Sequence, residues 1–104
     1  MEGIWYAHFK TGTNQGNGLA VLRNGELLGG DPQHTYVGTY REDGAHLYAD
    51  VRVAPYAGAG LPVDVEHPFS LVLTGLIAGD TATISGHPNH HPDVTVRVDL
   101  RKGV

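Results

Sequence analysis

The residues best suited to chemistry lie close together near the end of the chain: His87, His90, His91 and Asp93, interrupted by Pro88 and Pro92. Imidazoles and a carboxylate are suitable ligands for Zn²⁺ or Ni²⁺, and a short loop can bring three of them to one ion. The prolines restrain this loop, however, and consecutive histidines in an extended chain point apart. The competing reading is a polar hairpin tip in solvent. Neither a fourth ligand nor a group orienting the imidazoles can be named. The expectation is therefore no metal and no cofactor, with His87, His90 and His91 as the positions to inspect.

Nucleophilic catalysis finds still less support. Ser70 and Ser85 are the only serines, cysteine is absent, and both serines fall inside strand-like segments rather than at a sharp turn. No spacing suggests a nucleophile, base and carboxylate working together. No glycine cluster follows a strand and opens a helix, so phosphate-cradling motifs are missing. The chain reads as non-enzymatic.

Aromatic side chains allow two readings. Trp5, Tyr6, Phe9, Tyr36, Tyr40, Tyr48, Tyr56 and Phe69 can serve as core and barrel-end plugs. Some can instead line an apolar pocket, with Tyr36, Tyr40, Tyr48 and Phe69 the candidates to contact a small apolar ligand.

The elements that must position these residues are short strands. The 104 residues suit a single domain spanning 1–104 with one core. Fifteen glycines spread through the length argue against long helices. Asn24-Gly25, between the apolar runs Leu19–Leu22 and Leu27-Leu28, is a strong signal for a two-residue hairpin with φ > 0 at both positions. His46–Ala54 alternates, with Leu47, Ala49, Val51 and Val53 on one face. Val94–Arg101 alternates in the same way. The remaining strands are expected over Ile4–Lys10, Leu19–Arg23, Glu26–Gly29, Thr35–Tyr40, Phe69–Thr74 and Thr81–Gly86. Polar connections are expected at 11–18, 41–44 and 87–93, with the longest irregular one at 55–68.

Eight sequential antiparallel strands leave two open edges, and closing the sheet removes both. The expected fold is all-β, an eight-stranded antiparallel up-and-down barrel, with at most one short helix near Asp31–His34 or within 55–68. An open or two-sheet sandwich is the alternative. At eight strands the interior is either filled by side chains or holds one small ligand.

Charge bears on partners. The formal net charge is −4, and the longest basic run is Arg101-Lys102. Nucleic-acid binding requires concentrated positive charge, so a basic or neutral protein partner fits better. The N-terminus lacks the basic and apolar regions of a signal peptide, and no apolar run is long enough for a membrane helix. A cytoplasmic location without membrane contact is the expectation.

Several of these residues carry a further signal. Gly3-Ile4-Trp5-Tyr6 with Phe9, Gly16-x-Gly18, Asn24-Gly25, Gly29-Gly30-Asp31 and Tyr36-x-Gly38 together resemble the GrlR family of type III secretion regulators. The similarity is concentrated in the first half of the chain. The resemblance implies a lipocalin-like barrel, often a homodimer, that represses secretion genes by sequestering a transcriptional activator without reading DNA itself. In that family an acidic Glu-Asp-Glu-Asp turn engages the activator. Here Arg41-Glu42-Asp43-Gly44-Ala45 occupies the equivalent turn, so Glu42 and Asp43 match its first two positions and Gly44 and Ala45 depart from it. The resemblance thus implies a protein-binding role for Glu42 and Asp43 toward a basic activator. Carriage of an apolar ligand in the barrel interior is the alternative function.

Overall fold

A computed structural model describes residues 1–12, 14–55 and 68–103. The described strands are β1 (Gly3–Thr11), β2 (Asn14–Arg23), β3 (Glu26–Gly30), β4 (His34–Asp43), β5 (His46–Pro55), β6 (Phe69–Ala78), β7 (Thr81–Pro88) and β8 (Val96–Lys102). Each pairs antiparallel with the next, and β1 also pairs with β8, so the sheet closes as an up-and-down barrel. No helix occurs among the described residues, and of the Asp31–His34 segment considered for one, Asp31–Gln33 is a bent connection and His34 opens β4. Residues 56–67, most of the other segment considered for a helix, lie outside the described residues, as does Tyr56.

The turns follow from local chemistry. Asn24 and Gly25 take φ of 52° and 80°, the pair of positive values that a tight hairpin between right-twisted strands requires. Gly44 (φ 60°) and Gly79 (φ 61°) supply the same freedom at the β4–β5 and β6–β7 reversals.

Strand ends run further than the turn residues suggest. β2 starts at Asn14, β6 reaches Ala78, and β4 continues through Asp43, so Glu42 and Asp43 are strand residues beside the tip. β7 extends through Pro88, which places His87 in the ladder, whereas β8 begins only at Val96. Backbone pairing with a neighbouring strand carries polar and glycine-rich sequence along with it. Asn14–Gly18 is an example, held opposite Ala7–Thr11.

Alternation sets what faces inward. Leu47, Ala49, Val51 and Val53 are all buried, as are Val96 and Leu100, while Arg97 between them is exposed. In β1 the inward residue is Trp5, leaving Ile4 and Tyr6 outside. The two ends of the barrel differ. At the end bearing the β2–β3, β4–β5 and β6–β7 turns, Trp5, Leu22 and Leu47 pack tightly, each no more than 2% exposed. Met1, Tyr40 and Ile77 pack against this core. The Trp5 indole N–H donates to the Met1 carbonyl at 3.1 Å. Glu2 accepts from the Asn24 backbone N–H at 2.7 Å and from the Tyr40 hydroxyl at 3.1 Å, strapping the first residues across this end.

The outer wall is mostly polar, with Asp50, Arg52, Arg97 and Arg101 exposed. One apolar row interrupts it. Ile4, Val21, Leu28 and Val37 lie in register across β1–β4 and are 39–54% exposed.

Candidate functional site: the barrel mouth and lumen

At the opposite end of the barrel the described residues leave the interior unfilled. A cavity of about 920 Å³ lies within the strands and reaches the rim. Its wall is apolar, formed by residues such as Val51, Val53, Leu71, Val96, Val98 and Leu100. Its rim is polar: Asn14, Gln15, Asp31, Gln33, His34, Asn89, His90 and His91 contribute. A second, shallower depression of about 390 Å³ on the outer wall, between Tyr6, His8, Asp99 and Arg101, has no comparable apolar interior.

Two inward aromatics shape the lumen, and the glycines of β2 make room for them. Phe9 pairs with Gly16 across β1 and β2. A Cβ added at Gly16 would lie 2.6 Å from the Phe9 ring, and one at Gly18 would lie 3.1 Å from the Tyr36 hydroxyl. Both rings therefore occupy space that a side chain at either glycine would take. The Gly16-x-Gly18 pattern thus has a mechanical role that its turn-like composition disguises.

The β3–β4 connection builds a compact polar knot at the rim. The Asp31 carboxylate accepts from the Gln33 and His34 backbone N–H groups, both at 2.7 Å, and from the Tyr36 hydroxyl. The His34 Nδ1 lies 3.2 Å from the same carboxylate, whose side chain is only 7% exposed. Burial by itself pushes the Asp31 pKa up. The hydrogen bonds from Tyr36, Gln33 and His34 outweigh it and hold the carboxyl below its ordinary value of 3.8.

Across the mouth, Asn89 continues the β6–β7 ladder. Its backbone N–H donates to the Ser70 carbonyl at 2.8 Å, and its side-chain oxygen accepts from the Ser70 N–H at 3.0 Å. This turn carries His90 against Phe69 (ring centroids 5.3 Å apart) and His91 against His90 (4.4 Å).

The sequence-derived candidates separate into distinct places. Tyr36 and Phe69 line the lumen. Tyr40 points inward at the closed end, where it bonds to Glu2; burial first, and then that carboxylate, raise its pKa. Tyr48 is on the outward face of β5, with the Arg41 guanidinium 4.4 Å from its ring centroid, so it is no pocket residue. Strand alternation forces this, since Leu47 and Ala49 take the inward positions. His90 and His91 adjoin at the mouth, but His87 is exposed on β7 with its Nδ1 3.1 Å from the Pro88 carbonyl. Among the described residues no three metal-ligating side chains converge. Ser70 and Ser85 alternate with lumen-facing neighbours and so face away from the cavity.

Glu42 and Asp43 are exposed beside the β4–β5 tip, and the Met1 amino group lies 2.7 Å from the Glu42 carboxylate. Sequence reasoning missed the Asp31–His34–Tyr36 knot altogether. Its signal was the pair Asp31-Pro32, three and two residues before His34, a turn-starting combination in which the Asp side chain bonds to backbone ahead of it. No protein-family model and no curated protein matches this chain.

Proposed function

We propose that this protein is a non-enzymatic binding protein whose lumen takes one small, largely apolar ligand through the mouth. The observation that carries this reading is the apolar-walled cavity of about 920 Å³ beneath a polar rim. That volume falls in the range of small-molecule sites, and an apolar wall with a few polar groups at one end is their usual composition. The test is a fluorescence titration with N-phenyl-1-naphthylamine, a neutral apolar dye that brightens when removed from water. One saturable site per barrel is expected, weakened by Val98→Trp, which projects bulk into the lumen. Unsaturable binding, or no effect of Val98→Trp, removes the reading.

A second reading is supported by the β4–β5 tip, where exposed Glu42 and Asp43 lie near the Arg41–Tyr48 pair. In this reading the tip captures a basic protein, of the transcriptional-activator type that the GrlR resemblance implies. The charges would govern encounter and orientation, with Tyr48, half-buried on the outward face of β5, the nearest aromatic anchor. Pull-down with a Glu42→Ala/Asp43→Ala variant tests it, and unchanged recovery of partners refutes it.

The row Ile4–Val21–Leu28–Val37 supports self-association. It crosses four adjacent strands, about 14 Å at the usual interstrand spacing. Tyr6 and Leu19, directly paired in the next outward row, widen it. Such a row can cover itself by two-fold packing against a second copy. Sedimentation at micromolar concentration showing only a monomer would exclude this.

A further inference from the structure

Charge is unevenly placed on this chain. β1 and β8 together carry four of its seven Lys and Arg residues, Lys10, Arg97, Arg101 and Lys102, and only one of its eleven acidic residues, Asp99. We infer that the outer face of these two strands is a docking surface for an acidic segment of a partner protein, separate from both the lumen and the β4–β5 tip.

Barrel closure makes this surface. The two strands come from opposite ends of the sequence, and their pairing sets Lys10 against Arg97 and Tyr6 against Arg101. Trp5, Ala7, Val96 and Leu100 take the inward positions, so alternation turns Lys10, Arg97 and Arg101 outward, where all three are exposed. Arg97 and Arg101 are four residues apart, which spreads the positive charge over about 13 Å of strand. Asp99, between them, is already engaged: its Oδ1 accepts from the Thr83 hydroxyl at 3.1 Å and from the Arg97 guanidinium at 3.3 Å. Among the described residues no carboxylate pairs with Lys10, Arg101 or Lys102. The other three cations each have an acid beside them in the sheet. Arg23 lies opposite Glu26, while Arg41 and Arg52 share strand faces with Asp43 and Asp50, two residues away. Strand order sets the unbalanced positive face across the barrel from β4–β5.

A carboxylate-bearing protein segment complements this face. The outer-wall depression of about 390 Å³ lies beside Arg101 and is lined also by Tyr6, His8 and Asn17, so an incoming side chain can settle next to the guanidinium. The Arg101 guanidinium stays over the Tyr6 ring, 5.7 Å from its centroid, which leaves its charge uncancelled. Exposed cations of this kind steer encounter and fix orientation. A nucleic acid fits less well, because its phosphates continue past a band of about 13 Å and the chain as a whole has a net charge of −4. A short run of carboxylates meets the band alone.

The experiment is fluorescence anisotropy at low salt with a fluorescein-labelled peptide of alternating Glu and Ser, compared with an oligothymidylate of the same length. The expected result is saturable binding of the peptide that weakens at least about five-fold between 20 and 200 mM NaCl, as screening of exposed charges requires. Lys10→Gln and Arg101→Gln should each weaken it about three-fold, the effect of one exposed ion pair. Asp99→Asn keeps the acceptor for Thr83 and Arg97 but removes the one acid on the face, and should strengthen binding by a similar factor. Arg52→Gln makes the same change in net charge on β5 and should leave binding unaltered. All four substitutions are on the outer wall, where they leave the core untouched. Absence of saturable peptide binding overturns the inference. So does Arg52→Gln weakening binding as much as Arg101→Gln, since net charge and not this face would then be responsible. Binding that Asp99→Asn fails to strengthen overturns it, and so does oligothymidylate binding more tightly than the peptide.

Discussion

Two buried leucines on neighbouring strands should respond differently to the same truncation. Leu47 on β5 is 1% exposed within the packed end, whereas Leu71 on β6 is 8% exposed and forms part of the cavity wall. Leu47→Ala removes three carbons from a close-packed site and leaves a new void. The lost transfer energy and the cavity together cost about 3–4 kcal/mol. Leu71→Ala removes the same atoms but only enlarges a space already present. Its cost is essentially the transfer contribution, about 2 kcal/mol. For a domain of this size those losses correspond to Tm decreases of about 15–20 °C and about 10 °C. Urea denaturation followed by Trp5 fluorescence measures both, and the midpoint should shift less for Leu71→Ala with an unchanged slope. Equal losses would mean that the mouth half is packed as tightly as the base, and the hollow lumen would be refuted.

Four other outcomes follow from the same geometry. Val96→Asp places a carboxylate on the inward face of β8 and should cost several kcal/mol, whereas Arg97→Asp, one residue on and exposed, should change Tm little. Gly16→Val should push the Phe9 ring off the β2 backbone into the channel and weaken N-phenyl-1-naphthylamine binding more than it lowers Tm. Asp31→Asn should destabilise the protein at neutral pH. Because the folded pKa of Asp31 is depressed, its contribution is complete above 3.8 and disappears as pH falls through the lower folded value, so urea midpoints of variant and wild type should converge in strong acid. Val37→Lys, in the outer apolar row, should leave the monomer folded and abolish any dimer seen by sedimentation.

Much of the barrel is legible in the sequence because period-two alternation and turn chemistry point the same way. Leu47 to Val53 and Val96 to Leu100 show their inward face directly, and Asn24-Gly25 announces its own turn. Strand ends are less legible. A paired backbone extends a strand through residues of low β-propensity, which is how Asn14–Gly18, Glu42-Asp43 and His87 enter the ladder. The first strand is ambiguous because Ile4, Trp5 and Tyr6 are all apolar, and only register against β2 and β8 turns Trp5 inward.

The candidate site is legible only in pieces. Tyr36 and Phe69 are inward by alternation, but the same rule sends Tyr48 out, and Tyr40 falls on the inward face at the wrong end. The rim joins three segments from distant parts of the chain, Asn14-Gln15 at the start of β2, Asp31–His34 and Asn89–His91. Nothing local in sequence marks them as neighbours. Barrel closure brings them together, and with it the cavity that no single strand contains.

Where an apolar molecule sits on this barrel can be measured directly by intermolecular nuclear Overhauser effects between 1-decanol and the assigned methyl groups. Occupation of the lumen predicts contacts to Val53, Leu71, Val96 and Val98, with none to Val21, Leu28 or Val37 on the outer row. Contacts confined to that outer row, or none at all at saturating 1-decanol, would contradict the lumen as the binding site.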